Sequence, residues 1–204
     1  MKRVPHLAVI VPMKPLALAK QRLRPALQDT ERRALAVDML THVLATVSTS
    51  KIADLAVLIS AAHQVLQLAH DRDFVPLQEN TSGYNESTTQ AIHWTQTEGI
   101  DTVLILPADL PNLQADDLCN LISLMPDEPQ VAIITPNATE TGTNALLLRP
   151  PDLIQPSFGP DSYNRHCALA RDAGVEPIIY RSPSLAYDID LPSDLEHLPV
   201  IAIS

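Results

Sequence analysis

The chain has 204 residues and a formal net charge of −10, and 46% of its residues are hydrophobic. That length and composition fit one folded domain with a substantial core and argue against disorder. The acidic balance and the 3% of aromatic residues speak against nucleic-acid binding, which needs basic patches and stacking rings. The longest apolar runs are far shorter than the ~18 residues of a membrane span, and the N-terminus lacks the pattern of a secretory signal, so we expect a soluble, cytoplasmic protein that contacts no membrane.

Short apolar runs alternate along the chain with segments of helical periodicity. Most of these runs are apolar throughout, as in strands that are buried on both faces of a sheet. The alternation predicts one α/β domain spanning residues 1–204, with a mostly parallel, mixed sheet flanked by helices. The predicted strands are residues 7–11, 55–59, 103–106, 131–134, 145–148 and 177–180, and the predicted helices are residues 31–47, 86–98, 115–124 and 162–173.

A cluster of basic residues follows the first predicted strand, in the glycine-free stretch VPMKPLALAKQRLRP at residues 11–25. The connection to the next helix is much longer than the ~2–6 residues usual in α/β folds, which favours a functional loop. Basic side chains beyond the end of a strand could neutralise a polyphosphate. A solvated loop that merely connects the two elements is the alternative, and the stretch does not match the Walker pattern. The four members of the cluster are Lys14, Lys20, Arg22 and Arg24.

Asp109 stands directly after a predicted buried strand, in the motif VLILPADLP at residues 103–111. A carboxylate at this end of the sheet is well placed to bind Mg²⁺, which prefers a few hard oxygen ligands and shares its other positions with phosphates and water. The alternative is that Asp109 or Asp116 caps the helix that follows.

Two further carboxylates lie two positions apart in the motif YDIDLPSDL at residues 187–195. In an extended segment Asp188 and Asp190 project from one face while Ile189 points to the other. Two carboxylates on one face repel each other unless a cation lies between them, so a second metal-binding element is one interpretation. The other is that one carboxylate is exposed and the other caps the helix expected after Pro192.

Small polar residues mark two further motifs, ETGTNALLLRP and SFGPDSYNRH. Thr143 and Asn144 precede a predicted strand, while Gly159 and Ser162 lie at the start of the last predicted helix. Gly159 would let the backbone approach a ligand closely, and Ser162 could bind an anion beside the positive end of the helix. The alternative is that Ser162 is an ordinary helix cap.

The cysteines and histidines give no sign of other chemistry. Cys119 and Cys167 stand apart without a CxxC pattern, so we expect both to be buried and neither to form a zinc site or a disulfide. The seven histidines include no HExxH motif, and the chain has no GxSxG motif. Metal-hydrolase and serine-hydrolase functions are therefore excluded.

Six motifs follow one another along the chain: KPLALAKQRL, ERRALAVDML, LPADLP, TGTNALLL, FGPDSYNRHCALA and YDIDLPSDL. Their combination and order resemble the CofC/FbiD family of phospho-acid guanylyltransferases, which act in the biosynthesis of deazaflavin coenzyme F-420. The resemblance spans about residues 7–195. It implies a nucleotidyltransferase fold similar to the GT-A sugar-nucleotide enzymes, and transfer of GMP from GTP to a small phospho-acid with loss of pyrophosphate. The acceptors of such enzymes are 2-phospho-L-lactate, phosphoenolpyruvate and 3-phospho-D-glycerate.

The resemblance also implies roles for individual residues. Tyr84 and Asn85 depart from the Leu-Asn pair that is usual in this family, which leaves the nucleotide contacts of their loop open. The oligomeric state is also open, with a homodimer as the candidate. The implied Mg²⁺ ligands are Asp109, Asp188 and Asp190, and the implied catalytic residues are Lys20 and Asp109. The implied GTP-binding residues are Lys14, Lys20, Arg22 and Asn85, and the implied phospho-acid-binding residues are Thr143, Gly159 and Ser162.

Two other functions stay open at the level of the sequence. A nucleotidyltransferase that makes a molybdopterin or a sugar nucleotide would share the fold and the metal chemistry, but its first loop would be rich in glycine. A non-catalytic nucleotide-binding module would be expected to have lost the acidic residues, which are present here.

Overall fold

Seven strands form one sheet in the computed structural model, which describes residues 6–70 and 72–198. The strand order across the sheet is β3-β2-β1-β4-β6-β5-β7. Four neighbouring pairs are parallel, and β6 is antiparallel to both β4 and β5. The predicted mostly parallel, mixed sheet is therefore confirmed. The strands are β1 (Leu7–Pro12), β2 (Leu55–Ser60), β3 (Val75–Gln78), β4 (Thr102–Ile105), β5 (Val131–Pro136), β6 (Thr143–Arg149) and β7 (Ile178–Ile179).

The helices cover both faces of this sheet. In β1, Leu7, Val9 and Val11 pack into one core cluster with α1 and α4, whereas Ala8 and Ile10 pack into another with α3 and α5. This alternation follows from the two-residue period of a strand and explains why the whole run is apolar. None of the helices in the described part of the chain is long and apolar enough to cross a membrane. The helices are α1 (Asp29–Ser50), α2 (His63–Leu66), α3 (Tyr84–Thr97), α4 (Ala115–Ser123) and α5 (Ser162–Asp172).

The sequence missed the edge strand β3. Its residues VPLQ alternate between partly buried and exposed, and Pro76 interrupts the apolar pattern. A proline that donates no backbone hydrogen bond is tolerated at a sheet edge, which is where β3 lies. The short helix α2 was also missed, because four residues are too few to show helical periodicity. The last predicted strand, residues 177–180, shortens to the two residues of β7.

One of the two cysteine predictions is wrong. Cys167 is buried, as expected, whereas Cys119 is exposed. Helix α4 directs Leu118 and Leu121 into the core, and the next position after Leu118 is rotated by about 100° around the helix axis, towards solvent. Both cysteines are free thiols.

The sheet topology brings three separate segments of the chain to one edge. Strands β1 and β4 are parallel neighbours, so their carboxyl ends lie side by side. Strand β6 runs antiparallel to β4, which places its first residues at the same edge. The segments after Pro12 and Ile105 therefore meet the start of β6 at Thr143. This is the edge at which parallel sheets usually bind ligands.

Candidate functional site

A cavity of about 770 Å³ lies at this edge of the sheet. A volume of this order suits a small-molecule substrate. Its walls come from the loop after β1, the segment after β4, the start of β6, the loop before α5 and the segment that follows β7. The structure thus brings together almost all of the residues that the sequence singles out. Those that line the cavity are Lys14, Lys20, Arg22, Tyr84, Asp109, Thr143, Asn144, Gly159, Ser162, Asp188 and Asp190.

Three carboxylates converge in this cavity. One oxygen from each of Asp109, Asp188 and Asp190 lies within 4.8 Å of the others. Between the last two, Ile189 is fully buried and packs with Leu23 beside helix α1. The predicted arrangement, with two carboxylates on one face and isoleucine on the other, is therefore confirmed.

The alternative in which these carboxylates cap helices is wrong. Helix α4 begins after Gln114, whose backbone N–H donates to Asp117 at 2.9 Å. In the short 3₁₀ helix Pro192–His197 near the C-terminus, Asp194 accepts from the backbone N–H groups of Asp190 and Leu191, at 2.9 and 2.6 Å. The carboxylates that face the cavity are left for other partners.

Lys20 is the main cationic partner of these carboxylates. Its ammonium group donates to Asp109, and its Nζ lies 3.2 Å from Oδ1 of Asp190. The Lys20 side chain is only 7% exposed. Burial lowers the pKa of Lys20, but the negative charges of Asp109 and Asp190 outweigh burial, so the net pKa lies above its ordinary value and the ammonium stays charged.

The backbone around Lys20 is held in an unusual conformation. Its φ of 52° lies in the left-handed region, which non-glycine residues seldom adopt. The carbonyl of the preceding Ala19 accepts a hydrogen bond of 2.9 Å from Arg32, a buried residue of α1 that also pairs with Asp29. The sequence did not single out Arg32, because a basic residue near the start of a helix ordinarily faces solvent. Here it anchors the loop that delivers Lys20 to the carboxylates.

Asp188 occupies an unfavourable position for a negative charge. Burial raises its pKa, and the charges of Asp109 and Asp190 raise it further, to about 6. Its Oδ1 accepts a hydrogen bond of 3.4 Å from the side-chain amide of Asn144. A cation beside these groups would relieve this repulsion. Three hard carboxylate oxygens are ligands that Mg²⁺ prefers, so this donor set fits the metal that the sequence implies.

The basic loop presents its other side chains to solvent. Lys14 is exposed at the cavity wall, and Arg22, whose side chain is 69% exposed, lies 3.6 Å from Oδ2 of Asp190. Arg24 is exposed and does not line the cavity. The loop is therefore more than a solvated connection, because three of its four basic residues reach one cavity.

Thr143 and Ser162 lie next to each other in the cavity wall. The backbone N–H of Thr143 donates to Oγ of Ser162 at 3.0 Å, and Oγ1 of Thr143 lies 2.9 Å from Nδ1 of His166. Ser162 is the first residue of α5, and the capping position belongs to Asp161. The alternative of Ser162 as the helix cap is therefore wrong.

Asn85 does not line the cavity. Its side chain donates to the carbonyl of Phe158 at 3.1 Å and accepts from the N–H of Phe158 at 2.7 Å. Asn85 thus holds the loop before α5, and its contact with GTP stays a prediction. The neighbouring Tyr84 does line the cavity, and its ring lies edge-on to Phe158 with centroids 5.2 Å apart.

Two functional candidates on α5 were missed from the sequence. Arg165 donates to the carbonyls of Ser157 and Pro160, and His166 accepts from the N–H of Ser157 at 2.9 Å. Both brace the loop that carries Gly159. A spacing of four residues between Ser162 and His166 places both on one face of a helix. This spacing could have linked His166 to the candidate site from the sequence alone.

Relatives of similar length share much of this sequence. A phosphoenolpyruvate guanylyltransferase from Sphaerobacter thermophilus is 38% identical over 96% of this chain and 95% of that protein. One from Roseiflexus castenholzii is 40% identical, over 93% of this chain and 86% of that protein. A 3-phospho-D-glycerate guanylyltransferase from Colwellia psychrerythraea is 29% identical, over 95% and 91%.

Solved structures share the fold. A nucleotidyl transferase from Methanothermobacter thermautotroptrophicus has a TM-score of 0.69 at 15% identity, covering 94% of this chain and 95% of that one. A 4-diphosphocytidyl-2C-methyl-D-erythritol synthase from Anaerococcus prevotii has a TM-score of 0.62 at 12% identity, covering 95% and 94%. The likeness at this level of identity concerns the fold, and it confirms the nucleotidyltransferase fold implied by the sequence.

The sequence also matches a model of a whole protein family. The family is described as guanylyl transferase CofC like, and the match runs over residues 7–201. It includes the basic loop, the three carboxylates and the Thr143–Ser162 pair. The chain therefore belongs to the family of CofC-like guanylyl transferases.

Proposed function

We propose that the protein transfers GMP from GTP to the phosphate group of a small phospho-acid and releases pyrophosphate, as a step in coenzyme F-420 biosynthesis. The observation that carries this proposal is that a carboxylate cluster, a basic loop and a pair of hydroxyl-bearing residues meet in a single cavity. The names of the relatives support GTP as the donor and a phospho-acid as the acceptor.

Phosphoenolpyruvate is the first acceptor to test. Two relatives, at 38 and 40% identity, are named phosphoenolpyruvate guanylyltransferase, whereas the relative named 3-phospho-D-glycerate guanylyltransferase is 29% identical. The third candidate, 2-phospho-L-lactate, comes from the family resemblance. A cytoplasmic location and a homodimer stay predictions from the sequence.

The proposed reaction is a displacement at phosphorus. A phosphate oxygen of the acceptor forms a bond to the α-phosphorus of GTP, while the bond from that phosphorus to the oxygen bridging the β-phosphate breaks and pyrophosphate leaves. The attacking oxygen is already anionic, so no strong general base is needed. The main obstacle is repulsion between two polyanions, so the protein accelerates the reaction by positioning them and offsetting their charge.

The basic loop supplies positive charge to the donor. Lys14, Lys20 and Arg22 would bind the triphosphate of GTP and then the leaving pyrophosphate. Lys20 is the candidate catalytic residue among them, because its ammonium is buried, remains charged and is held beside Asp109. A fixed buried charge stabilises developing negative charge more strongly than a mobile, solvated one.

The carboxylate cluster would hold Mg²⁺ through Asp109, Asp188 and Asp190. When bound, the ion supplies positive charge next to the reacting phosphates. The raised pKa of Asp188, about 6, supports this assignment, since it reflects carboxylates packed together in a buried position. Asp109 and Asp190 also hold the ammonium group of Lys20 beside the site proposed for the metal and GTP.

The acceptor would bind between the start of β6 and the start of α5. Thr143 and Ser162 offer hydroxyl groups to its phosphate and carboxylate. Gly159 has a φ of 116°, a conformation that favours glycine, and the nearest group to an added Cβ there would be Arg165 at 3.8 Å. A glycine at this position keeps the cavity wall open to the acceptor.

Pyrophosphate release tests this proposal. The protein would be incubated with Mg²⁺, GTP and each of the three phospho-acids, and ATP and CTP would replace GTP as controls. We expect pyrophosphate and a guanylated acid to form together, with GTP as the preferred donor. Pyrophosphate release that does not depend on the acceptor, or none with any of the three acids, would refute the proposal.

A further inference from the structure

His166 is a buried side chain with both ring nitrogens hydrogen-bonded. It is fully inaccessible to solvent on helix α5. Nε2 lies 2.9 Å from the backbone nitrogen of Ser157, and Nδ1 lies 2.9 Å from Oγ1 of Thr143. The ring therefore connects the loop before α5 with the first residue of β6.

These two contacts determine which nitrogen carries the proton. The N–H of Ser157 can act only as a donor, so Nε2 must be the unprotonated acceptor. In a neutral imidazole the proton then belongs to Nδ1, which donates to Oγ1 of Thr143. Burial, together with the charge of Arg165, lowers the pKa of His166 to about 4, so the ring is neutral at neutral pH.

The tautomer of His166 decides whether the Thr143 hydroxyl donates or accepts in the hydrogen bond between them. Because Oγ1 accepts the proton of His166, the hydroxyl hydrogen of Thr143 is free to donate elsewhere. Oγ of Ser162 likewise accepts from the backbone of Thr143 and keeps its own hydrogen for donation. Among residues 6–70 and 72–198, neither hydroxyl hydrogen has an acceptor. Thr143 and Ser162 are only 6% and 2% exposed, and both lie in the cavity wall, so a ligand in the cavity is the available acceptor for these two hydrogens.

We infer that His166 is a positioning residue of the acceptor pocket, which turns the hydroxyl of Thr143 into a donor for the anionic oxygens of a phospho-acid. This inference rests on the proposed function of the cavity. A pair of O–H donors suits phosphate or carboxylate oxygens, which only accept hydrogen bonds.

The same side chain also fixes the loop opposite Thr143. His166 holds the N–H of Ser157, Arg165 holds the carbonyls of Ser157 and Pro160, and Asn85 holds both backbone polar groups of Phe158. This bracing fixes the segment that carries Gly159. Of these three side chains, that of His166 also hydrogen-bonds Thr143 in the opposite wall, so it ties the two walls of the acceptor pocket together.

Nitrogen-15 NMR of histidine-labelled wild-type protein tests the tautomer directly. At neutral pH we expect a neutral ring at His166 with the proton on Nδ1, and the signal is assigned by its loss in His166→Gln. A proton on Nε2, or on both nitrogens, would overturn the inference even if the enzyme is active. An enzyme that transfers GMP to none of the three acids would instead refute the proposed function and with it the role in acceptor binding.

Two substitutions of His166 separate its two hydrogen bonds. His166→Asn can place an amide N–H near the position of Nδ1 and so keep the hydrogen bond to Thr143. His166→Gln can place an amide oxygen near the position of Nε2 and so keep the hydrogen bond from Ser157. We expect His166→Gln to raise the KM for the phospho-acid by about ten-fold or more while the KM for GTP stays within about two-fold, since only a contact to the phospho-acid is lost. His166→Asn should lie closer to wild type in acceptor KM.

A purely structural role for His166 predicts a different pattern. Both variants would then raise the two KM values together, or leave the acceptor KM unchanged, and either result would overturn the inference. Thermal unfolding of both variants shows whether each remains folded. If either does not, the NMR measurement on the wild-type protein decides.

Discussion

Nζ of Lys20 lies 3.2 Å from Oδ1 of Asp190, although 170 residues separate them in the chain. The same ammonium also contacts Asp109. Lys20 thus joins the loop after β1 to the segment after β4 and to the C-terminal segment. Among the four basic residues of its loop it is the one with a buried side chain, which distinguishes it from Lys14, Arg22 and Arg24.

Replacing Lys20 by an uncharged residue should expose the repulsion among the carboxylates. We expect Lys20→Met to lower the free energy of unfolding by about 2 kcal/mol without divalent ions, because a largely buried ion pair loses its cation. Mg²⁺ should then raise the Tm of the variant more than that of the wild type. Lys14→Met is the control, because Lys14 is exposed. Equal stability and equal Mg²⁺ shifts for wild type and Lys20→Met would contradict the role assigned to Lys20.

Arg22 and Arg24 form a matched pair for testing the GTP site. Both are exposed and lie two residues apart, but only Arg22 lines the cavity. Arg22→Ala should weaken binding of GTP by about ten-fold and that of GMP much less, since the lost contact is to the terminal phosphates. Arg24→Ala should change neither. Calorimetric titration with both nucleotides measures this, and equal losses for GTP and GMP in Arg22→Ala would place Arg22 away from the triphosphate.

Thr143 offers a test of the acceptor pocket with little change of shape. Thr143→Val removes the hydroxyl. We expect the affinity for the phospho-acid to fall by about ten- to a hundred-fold, because a hydrogen bond to a charged group contributes about that much to binding. Thr143→Ser keeps the hydroxyl and should retain most of the affinity. GTP binding should be unchanged in both. Intact acceptor binding in a folded Thr143→Val protein would move the pocket elsewhere.

His166 should make the protein sensitive to acid. Its pKa is about 4 in the folded protein against an ordinary value of 6.5, so the unfolded chain binds more protons between these pH values. The free energy of unfolding should therefore fall by about 3 kcal/mol as the pH drops from about 6.5 to about 4. Below that pH, His166 should cause no further loss of stability. His166→Gln lacks this titration and serves as the reference, so that the other groups cancel. Parallel stability curves for the two proteins would show that His166 is not held neutral.

The sequence predicted the parts of the site that follow directly from strand ends. Asp109 comes at the carboxyl end of a fully apolar strand, and the alternation of Asp188, Ile189 and Asp190 is visible in an extended segment. Both patterns depend on neighbouring residues, so no tertiary contact was needed to find them. The motifs also drew attention to Thr143 and Ser162, but only the family resemblance assigned them to the phospho-acid, because a local pattern could not distinguish a binding role from a structural one.

The sequence could not predict which polar groups pair across the fold. Asn85 and Phe158 are 73 residues apart, so the hydrogen bonds that turn Asn85 towards the acceptor loop leave no local pattern. The burial of Lys20 and the pairing of His166 with Thr143 likewise depend on tertiary structure. Cys119 was misplaced because its helix face is set by its neighbours rather than by its own apolar character.

The decisive experiment for GMP transfer follows a label from the α-phosphate of GTP to the phospho-acid. With Mg²⁺ present, we expect the label to move into a guanylated acid and the released pyrophosphate to carry none. Asp109→Asn should lower this rate by at least about a hundred-fold through loss of a charged metal ligand, while Asp116→Asn, at an exposed position outside the cavity, should stay near wild type. Label that remains in GTP or appears only as free GMP would refute GMP transfer to the phospho-acid. A near-normal rate for Asp109→Asn at saturating Mg²⁺ would refute Asp109 as a metal ligand.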